Sequence, residues 1–190
     1  MEINADLHAH SRASDGLLTP AEVVRLAAAN GVTLFALTDH DELSGIAEAK
    51  AAARSAEMGF LSGVEISVSW REHTLHVVGL GIDETAAPLC EGLAGLRKSR
   101  EQRACRIAQE LGRFGVEDAL KGAQRHATNP AVISRTHFAR YLVEINRARD
   151  VKAVFQRFLA RGKPGYVPHQ WAPIEEAVGW ITQSGGVAKL

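Results

Sequence analysis

Cysteine is nearly absent from this chain. Only Cys90 and Cys105 occur among 190 residues, without a CxxC pair. A disulfide framework and a zinc knuckle are therefore not expected, and a reducing compartment is. An excess of one charge sign is missing too: 22 Lys and Arg balance 22 Asp and Glu, for a formal net charge of +0. Nothing global draws the chain to nucleic acid or to an anionic membrane, so any attraction to phosphate must be local. No apolar run approaches the roughly 20 residues of a membrane span. No basic segment precedes an apolar one at the start. The expectation is a soluble, cytoplasmic protein without a membrane partner. Internal repeats and low-complexity tracts are also lacking. With 46% apolar and 23% charged residues, a buried core is expected. The length suits one domain, or one domain carrying an insertion. What stands out is eight histidines.

The first eighty residues read as strand followed by helix, repeated. Ile3, Ala5 and Leu7 alternate with Asn4, Asp6 and His8, a strand pattern that turns the apolar set toward flanking helices. Thr19-Pro20-Ala21-Glu22 is a helix start with N-cap, proline and capping box, and Gly31 ends that helix. Residues 32–37 form a short apolar strand. Ser44 is a candidate cap for an alanine-rich helix ending near Gly59, and 60–68 and 74–80 read as two more strands. Such alternation predicts a parallel sheet or an α/β barrel. The character then changes. Residues 88–114 are one long helical stretch, and 131–160 are again mostly helical. A loop rich in Gly and Pro follows at 162–168, then a helix over 174–183 that stops at Gly185-Gly186. The expected division is an α/β body over 1–84 and 171–190, with a helical, substrate-capping insertion over 85–170. Val187-Ala188-Lys189-Leu190 reads as the opening of a further strand.

Ionisable residues recur where strands end. His8 and His10, two apart on a strand, project to one side and can share a transition metal. Asp15 adds a carboxylate in a Ser-Asp-Gly turn just beyond. Thr38-Asp39-His40-Asp41 follows the next strand directly, at the end where α/β folds place their sites. Asp39 and Asp41 could instead cap the next helix. Glu65 lies within an apolar strand, where a carboxylate needs a partner, and its two oxygens could bridge two metals. His76 sits in the following strand, while His73 reads as solvated. Four consecutive strand segments thus deliver His, Asp or Glu to one rim. Imidazole with carboxylate and no Cys suits Mn, Fe or Zn, and several carboxylates favour more than one ion.

Asp6-Leu7-His8-Ala9-His10-Ser11 with Ser14-Asp15-Gly16, Thr38-Asp39-His40-Asp41, Gly63-Val64-Glu65 and His76 together resemble the PHP (polymerase and histidinol phosphatase) phosphoesterases. The likeness extends over the whole chain. Residues 129–140 and 162–171 resemble the branch that contains bacterial 3′,5′-nucleoside bisphosphate phosphatases; a cousin branch contains 5′-to-3′ exoribonucleases. The resemblance implies a distorted (β/α)₇ barrel with a helical insertion. It also implies a site for up to three divalent ions, manganese first, with iron, zinc or magnesium as alternatives. His8, His10, Asp15, His40, Glu65 and His76 match six of the family's nine ligands. The other three belong to motifs not found before Leu190, so the barrel is expected to be C-terminally incomplete. His126, His137 and His169 match none of the ligand motifs.

Arg100 and Arg103 share a helix face within a basic run that also holds Arg97, Lys98 and Arg106. The resemblance implies that Arg135 and His137 contact a substrate phosphate. Arg100 and Arg103 are further candidates, Lys163 a weaker one, and Arg97 and Arg106 read as a solvated face. The expected reaction is metal-assisted hydrolysis of a phosphomonoester on a small nucleotide, by an ionised water and without an assigned catalytic side chain. Two alternatives remain open: exonucleolytic cleavage of short RNA, and a non-catalytic metal- or nucleotide-binding module.

Overall fold

The computed structural model describes residues 3–190. The chain divides into two units, one formed by residues up to Leu96 together with Gln170–Leu190, the other by Arg97–His169.

The first unit is built on a six-stranded mixed sheet. Its strands are β1 (Ala5–Asp6), β2 (Leu34–Leu37), β3 (Gly59–Trp70), β4 (His73–Leu80), β5 (Ala172–Pro173) and β6 (Val187–Lys189). β1, β2 and β3 are parallel, joined through α1 (Pro20–Ala29) and α2 (Ile46–Ser55). β4 runs antiparallel to both β3 and β6, and β5 pairs in parallel with the far end of β3. The α/β class is as expected, and six strands among the described residues fit a barrel expected to be incomplete; the antiparallel β3–β4 return departs from parallel alternation. The cause is local. Trp70 pairs with His73, so only Arg71 and Glu72 connect β3 to β4. A parallel return needs a crossover of about a dozen residues, whereas a hairpin needs two.

Capping at the start of α1 follows the sequence. Thr19 Oγ1 accepts from Glu22 N, Glu22 Oε2 accepts from Thr19 N, and Gly31 follows the helix at φ 79°. Two expectations need correction. Ser44 does not cap α2: the N-cap is Gly45, with no side-chain hydrogen bond, and Glu42 Oε1 takes the amides of Leu43 and Ser44 instead. Nor do Ile3 and Ala5 pack inward. Ile3 is 73% exposed, because β1 is a two-residue strand at the sheet edge.

β3 organises the apolar packing. Val64, Ile66 and Val68 are fully buried and join Val77, Leu89, Leu93, Leu96, Trp171 and Ile181 in one core. Phe35 and Leu37 of β2 pack with Val24, Ala49 and Ala53 of α1 and α2 in another. Leu89, Leu93 and Leu96 belong to α3 (Ala87–Arg113). The expected boundary at 84/85 therefore lies within this helix, at 96/97, because a leucine stripe at i, i+4 and i+7 ties its first turns to the sheet.

The second unit has its own core. Ala104, Ile107 and Leu111 of α3 pack with Phe138, Leu142, Val154 and Leu159. Its other helices are α4 (Ala119–Arg125), α5 (Arg135–Glu144) and α6 (Val151–Val154), which runs on as a π-helical turn, Phe155–Leu159. α7 (Ile174–Gln183) returns to the first unit. No helix among the described residues is long and apolar enough to cross a membrane.

Leu93→Ala should cost about 2–5 kcal/mol, the range for emptying a fully buried leucine site. In that variant, hydrogen exchange under mild denaturant should show β3 and β4, which share the Leu93 core, losing protection relative to the unaltered protein while α5 keeps its own. Equal loss in α5 would place the boundary elsewhere.

Candidate functional site

The strand period of two turns Glu65, Ser67 and Ser69 away from the apolar face of β3 that Val64, Ile66 and Val68 form. Glu65 is 5% exposed, a carboxylate that cannot remain there without counter-charge. Four histidines meet it. Glu65 Oε2 lies 2.9 Å from His8 Nε2, 2.9 Å from His10 Nε2 and 3.6 Å from His40 Nδ1. Glu65 Oε1 lies 2.5 Å from His76 Nδ1. The rings of His10 and His40 stack at 4.6 Å, and His76 meets His40 edge-on at 4.8 Å.

The backbone explains the convergence. β2 continues past its last ladder pair as a single parallel bridge between His40 and Glu65, with Glu65 N donating to Asp39 O and Asp41 N to Glu65 O. The hairpin register sets His76 opposite Ser67 on the neighbouring strand. Asp15 arrives through a compact turn in which Ser14 N and Gly16 N both donate to Ser11 O. Gly16 lies so close to the His10 and Ser11 backbone that a Cβ has no room.

Asp39 and Asp41 do not cap α2. Asp39 Oδ1 accepts from Ser11 N at 2.7 Å and from Ser14 Oγ at 2.5 Å, and Oδ2 accepts from Ser11 Oγ at 2.7 Å. It clamps the turn that carries Asp15. Burial pushes the Asp39 carboxyl up, against the pull of both serines. Asp41, in the left-handed region at φ 51°, accepts from Ser67 N at 2.8 Å and locks the end of β2 onto β3. These supporting roles were not legible in the sequence, since they depend on contacts between strands.

Three overlapping groups have ligand atoms within 4.8 Å of one another: His8-His10-Glu65, His10-Asp15-His40 and His40-Glu65-His76. All six candidate ligands fall in them. Burial opposes ionisation of Glu65, but contacts with His10 and His76, then His40 and His8, outweigh it and hold the carboxyl far below its usual range. Burial disfavours a charged His10 as well, and there Glu65, followed by Asp15 and Asp39, prevails and raises it. His10 Nδ1 is buried without a hydrogen-bond partner. A ring nitrogen in that position, within a set of imidazoles and carboxylates, fits a divalent transition ion.

The second unit carries a distinct cationic cluster. Burial, then the charges of Arg135 and Arg100, bring Arg103 down to about 10. Burial and Arg100 also lower Arg135, against Tyr166. Arg135 Nη1 donates to Leu159 O at 3.3 Å, and its guanidinium lies over the Phe155 ring. Arg100 is 5% exposed. His137 is 1% exposed, and its Nδ1 accepts from Ser134 N, closing the capping box of α5. It shapes the turn from which Arg135 projects. Lys163 and His73 are exposed. Arg106 is not simply solvated: its Nη2 lies 2.9 Å from His169 Nδ1. His169 fitted no ligand motif and was not expected in the cluster.

The PHP domain family matches residues 6–167, a span that contains all six candidate ligands. The chain belongs to the PHP domain family. It is 52% identical over 187 residues to a 3′,5′-nucleoside bisphosphate phosphatase of Chromobacterium violaceum, covering 98% of this chain and 66% of that protein. It is 48% identical over 187 residues to the 5′-3′ exoribonuclease Rnm of Escherichia coli, covering 97% and 64%. A solved structure from Chromobacterium violaceum, described as an amidohydrolase with bound sulfate and no metal, superposes with a TM-score of 0.95 at 52% identity, covering 97% of this chain and 65% of that one. This PHP chain thus spans just under two thirds of the length of the relatives it matches.

Glu65→Ala removes a member of two of the three groups, a place that Glu65 shares with His10 and His40, and Glu65 is the one carboxylate among those three. It should retain the least metal of the six single alanine variants, read by metal analysis after gel filtration. Wild-type retention would show that the constellation is not a metal site. Asp39→Ala should also lower retention, by freeing the Asp15 turn. Separately, burial and then Arg103, Arg106 and Arg100 hold His169 down to about 4. Its imidazole NMR signals should stay flat from pH 5 to 8, where a histidine near the ordinary value of about 6.5 titrates. The sign follows: the folded state binds fewer protons, so this group's share of stability is full above the ordinary value and falls as pH drops toward about 4.

Proposed function

We propose that the chain acts as a metal-dependent phosphoesterase on a small nucleotide carrying two phosphates, converting a 3′,5′-nucleoside bisphosphate to the nucleoside 5′-monophosphate and phosphate. The observation that carries this reading is the meeting of four imidazoles on the Glu65 carboxylate. His8, His10, Asp15, His40, Glu65 and His76 are assigned as ligands. Manganese is the first choice of metal because the family resemblance implies it; the donor set of imidazole and carboxylate without thiolate is compatible with manganese, iron or zinc. Bound there, divalent ions would polarise phosphoryl oxygens and lower the pKa of water.

The chain's own residues have separable tasks. Glu65 presents its two oxygens to different histidines, so it is placed to bridge two cations. Asp39 and Asp41 hold the loop and strand ends from which the ligands project. Arg100, Arg103 and Arg135 form a cluster whose mutual repulsion an anion would relieve, and guanidinium geometry suits phosphate oxygens. A nucleotide with a second phosphate has a use for such a cluster in binding rather than in chemistry. His137 is assigned the support of Arg135. The two free cysteines fit a cytoplasmic setting.

A second reading, 5′-to-3′ exonucleolysis of short RNA, is favoured by the 48% identity to the Escherichia coli exoribonuclease. The manganese-loaded protein should be given adenosine 3′,5′-bisphosphate and a labelled oligoribonucleotide side by side. Phosphate from the nucleotide, without mononucleotides from the oligomer, is expected. Mononucleotides alone would replace the first reading by the second, and turnover of neither by the fully loaded protein would favour the binding module. Arg135→Ala should raise KM roughly ten-fold or more, with a smaller change in kcat, as loss of a uniform binding contact does.

A further inference from the structure

We propose that Ser99 is an anion-binding residue of the arginine cluster and that His169 is the residue that positions it. This rests on the reading that the cluster takes a phosphate.

The argument is one of proton inventory. A guanidinium only donates hydrogen bonds. The 2.9 Å contact between Arg106 Nη2 and His169 Nδ1 therefore makes that ring nitrogen the acceptor. A neutral imidazole then carries its proton on Nε2, and this nitrogen lies 2.7 Å from Ser99 Oγ. Ser99 Oγ accepts, which leaves its own hydroxyl proton to be given. A depressed His169 agrees with the neutral ring. Arg106 thus fixes the tautomer, the tautomer fixes the hydroxyl, and the hydroxyl acts as a donor.

Its neighbours define what it donates to. Ser99, Arg103 and Arg106 stand at i, i+4 and i+7 on α3, one face of the helix. Arg103, Arg106 and Arg100 are the charges felt most at His169. A neutral donor set among guanidinium groups matches an anion with several accepting oxygens, such as a phosphate dianion. It adds a hydrogen bond without adding another mutually repelling charge. Ser99 is half-buried, so its place is held by the protein rather than by solvent.

The test is titration calorimetry of inorganic phosphate and inorganic sulfate into the metal-stripped protein, where only the protein's own groups bind the anion. Ser99→Ala should weaken both anions roughly ten-fold, the scale of one hydrogen bond to a charged group. Alanine is favourable in a helix, so folding is not at risk. His169→Ala should weaken them to a similar degree, and the double variant should lose little more than Ser99→Ala alone. His169→Gln, which keeps one acceptor and one donor, should restore most of the affinity. Wild-type affinity in Ser99→Ala overturns the inference and leaves the cluster reading standing. A full His169→Ala loss in the Ser99→Ala background overturns the positioning role. If the wild type binds neither anion, or Arg103→Ala binds both as well as the wild type, the cluster reading falls and the inference with it.

Discussion

A carboxylate inside an apolar strand is the constraint around which this molecule is arranged. Val64 and Ile66, on either side of Glu65, are fully buried, so the strand cannot rotate or slip to release the charge. A one-residue slip would exchange the apolar and polar faces of the whole strand. The charge must be met where it stands, and four histidines from three chain segments meet it. Two histidines come from the segment after β1, one from the end of β2 and one from β4. Each depends on a separate backbone device: the turn clamped by Asp39, the His40–Glu65 bridge and the tight hairpin. Mutual contacts hold Glu65 ionised and raise His10, an electrostatic balance that a divalent cation could take over.

The second unit addresses the opposite problem, the gathering of like charges. Arg103 and Arg135 are both depressed by burial and by neighbouring arginines. Such an arrangement costs folding free energy, a cost that the proposed phosphate would relieve. His169 tempers it by remaining neutral, which keeps one more positive charge out of the group and leaves a hydrogen-bond relay in place.

Much of this was legible in sequence. The capping box at Thr19, the stop at Gly31, the span of α7 and the six candidate ligands all follow from residue type and spacing, because each is a local or short-period property. Other elements were not. The strands at 60–68 and 74–80 were legible, but their antiparallel pairing was not drawn from the few residues between them, which allow only a hairpin. Ser44 was taken as a cap on residue type alone, while Glu42 took the local amides. α4 escaped notice because Ala119 to Arg125 is a short segment without a strong cap: the Asp118 side chain takes no helix amide and pairs with Lys121 instead.

The sequence by itself determined which residues could ligate a metal, near which strand ends they lie and which family the motifs resemble. These follow from identity and from periods of two and of about 3.6 residues, which one chain segment expresses alone. Only the tertiary structure decided that four of the candidate histidines meet at Glu65, with Asp15 grouped beside His10 and His40, that Asp39 and Asp41 hold the segments carrying them, and that His169 joins Ser99 and Arg106. Those outcomes depend on strand order, register and chain return. They bring together residues separated by 57 positions for His8 and Glu65 and by 70 for Ser99 and His169. No local spacing rule reaches that far.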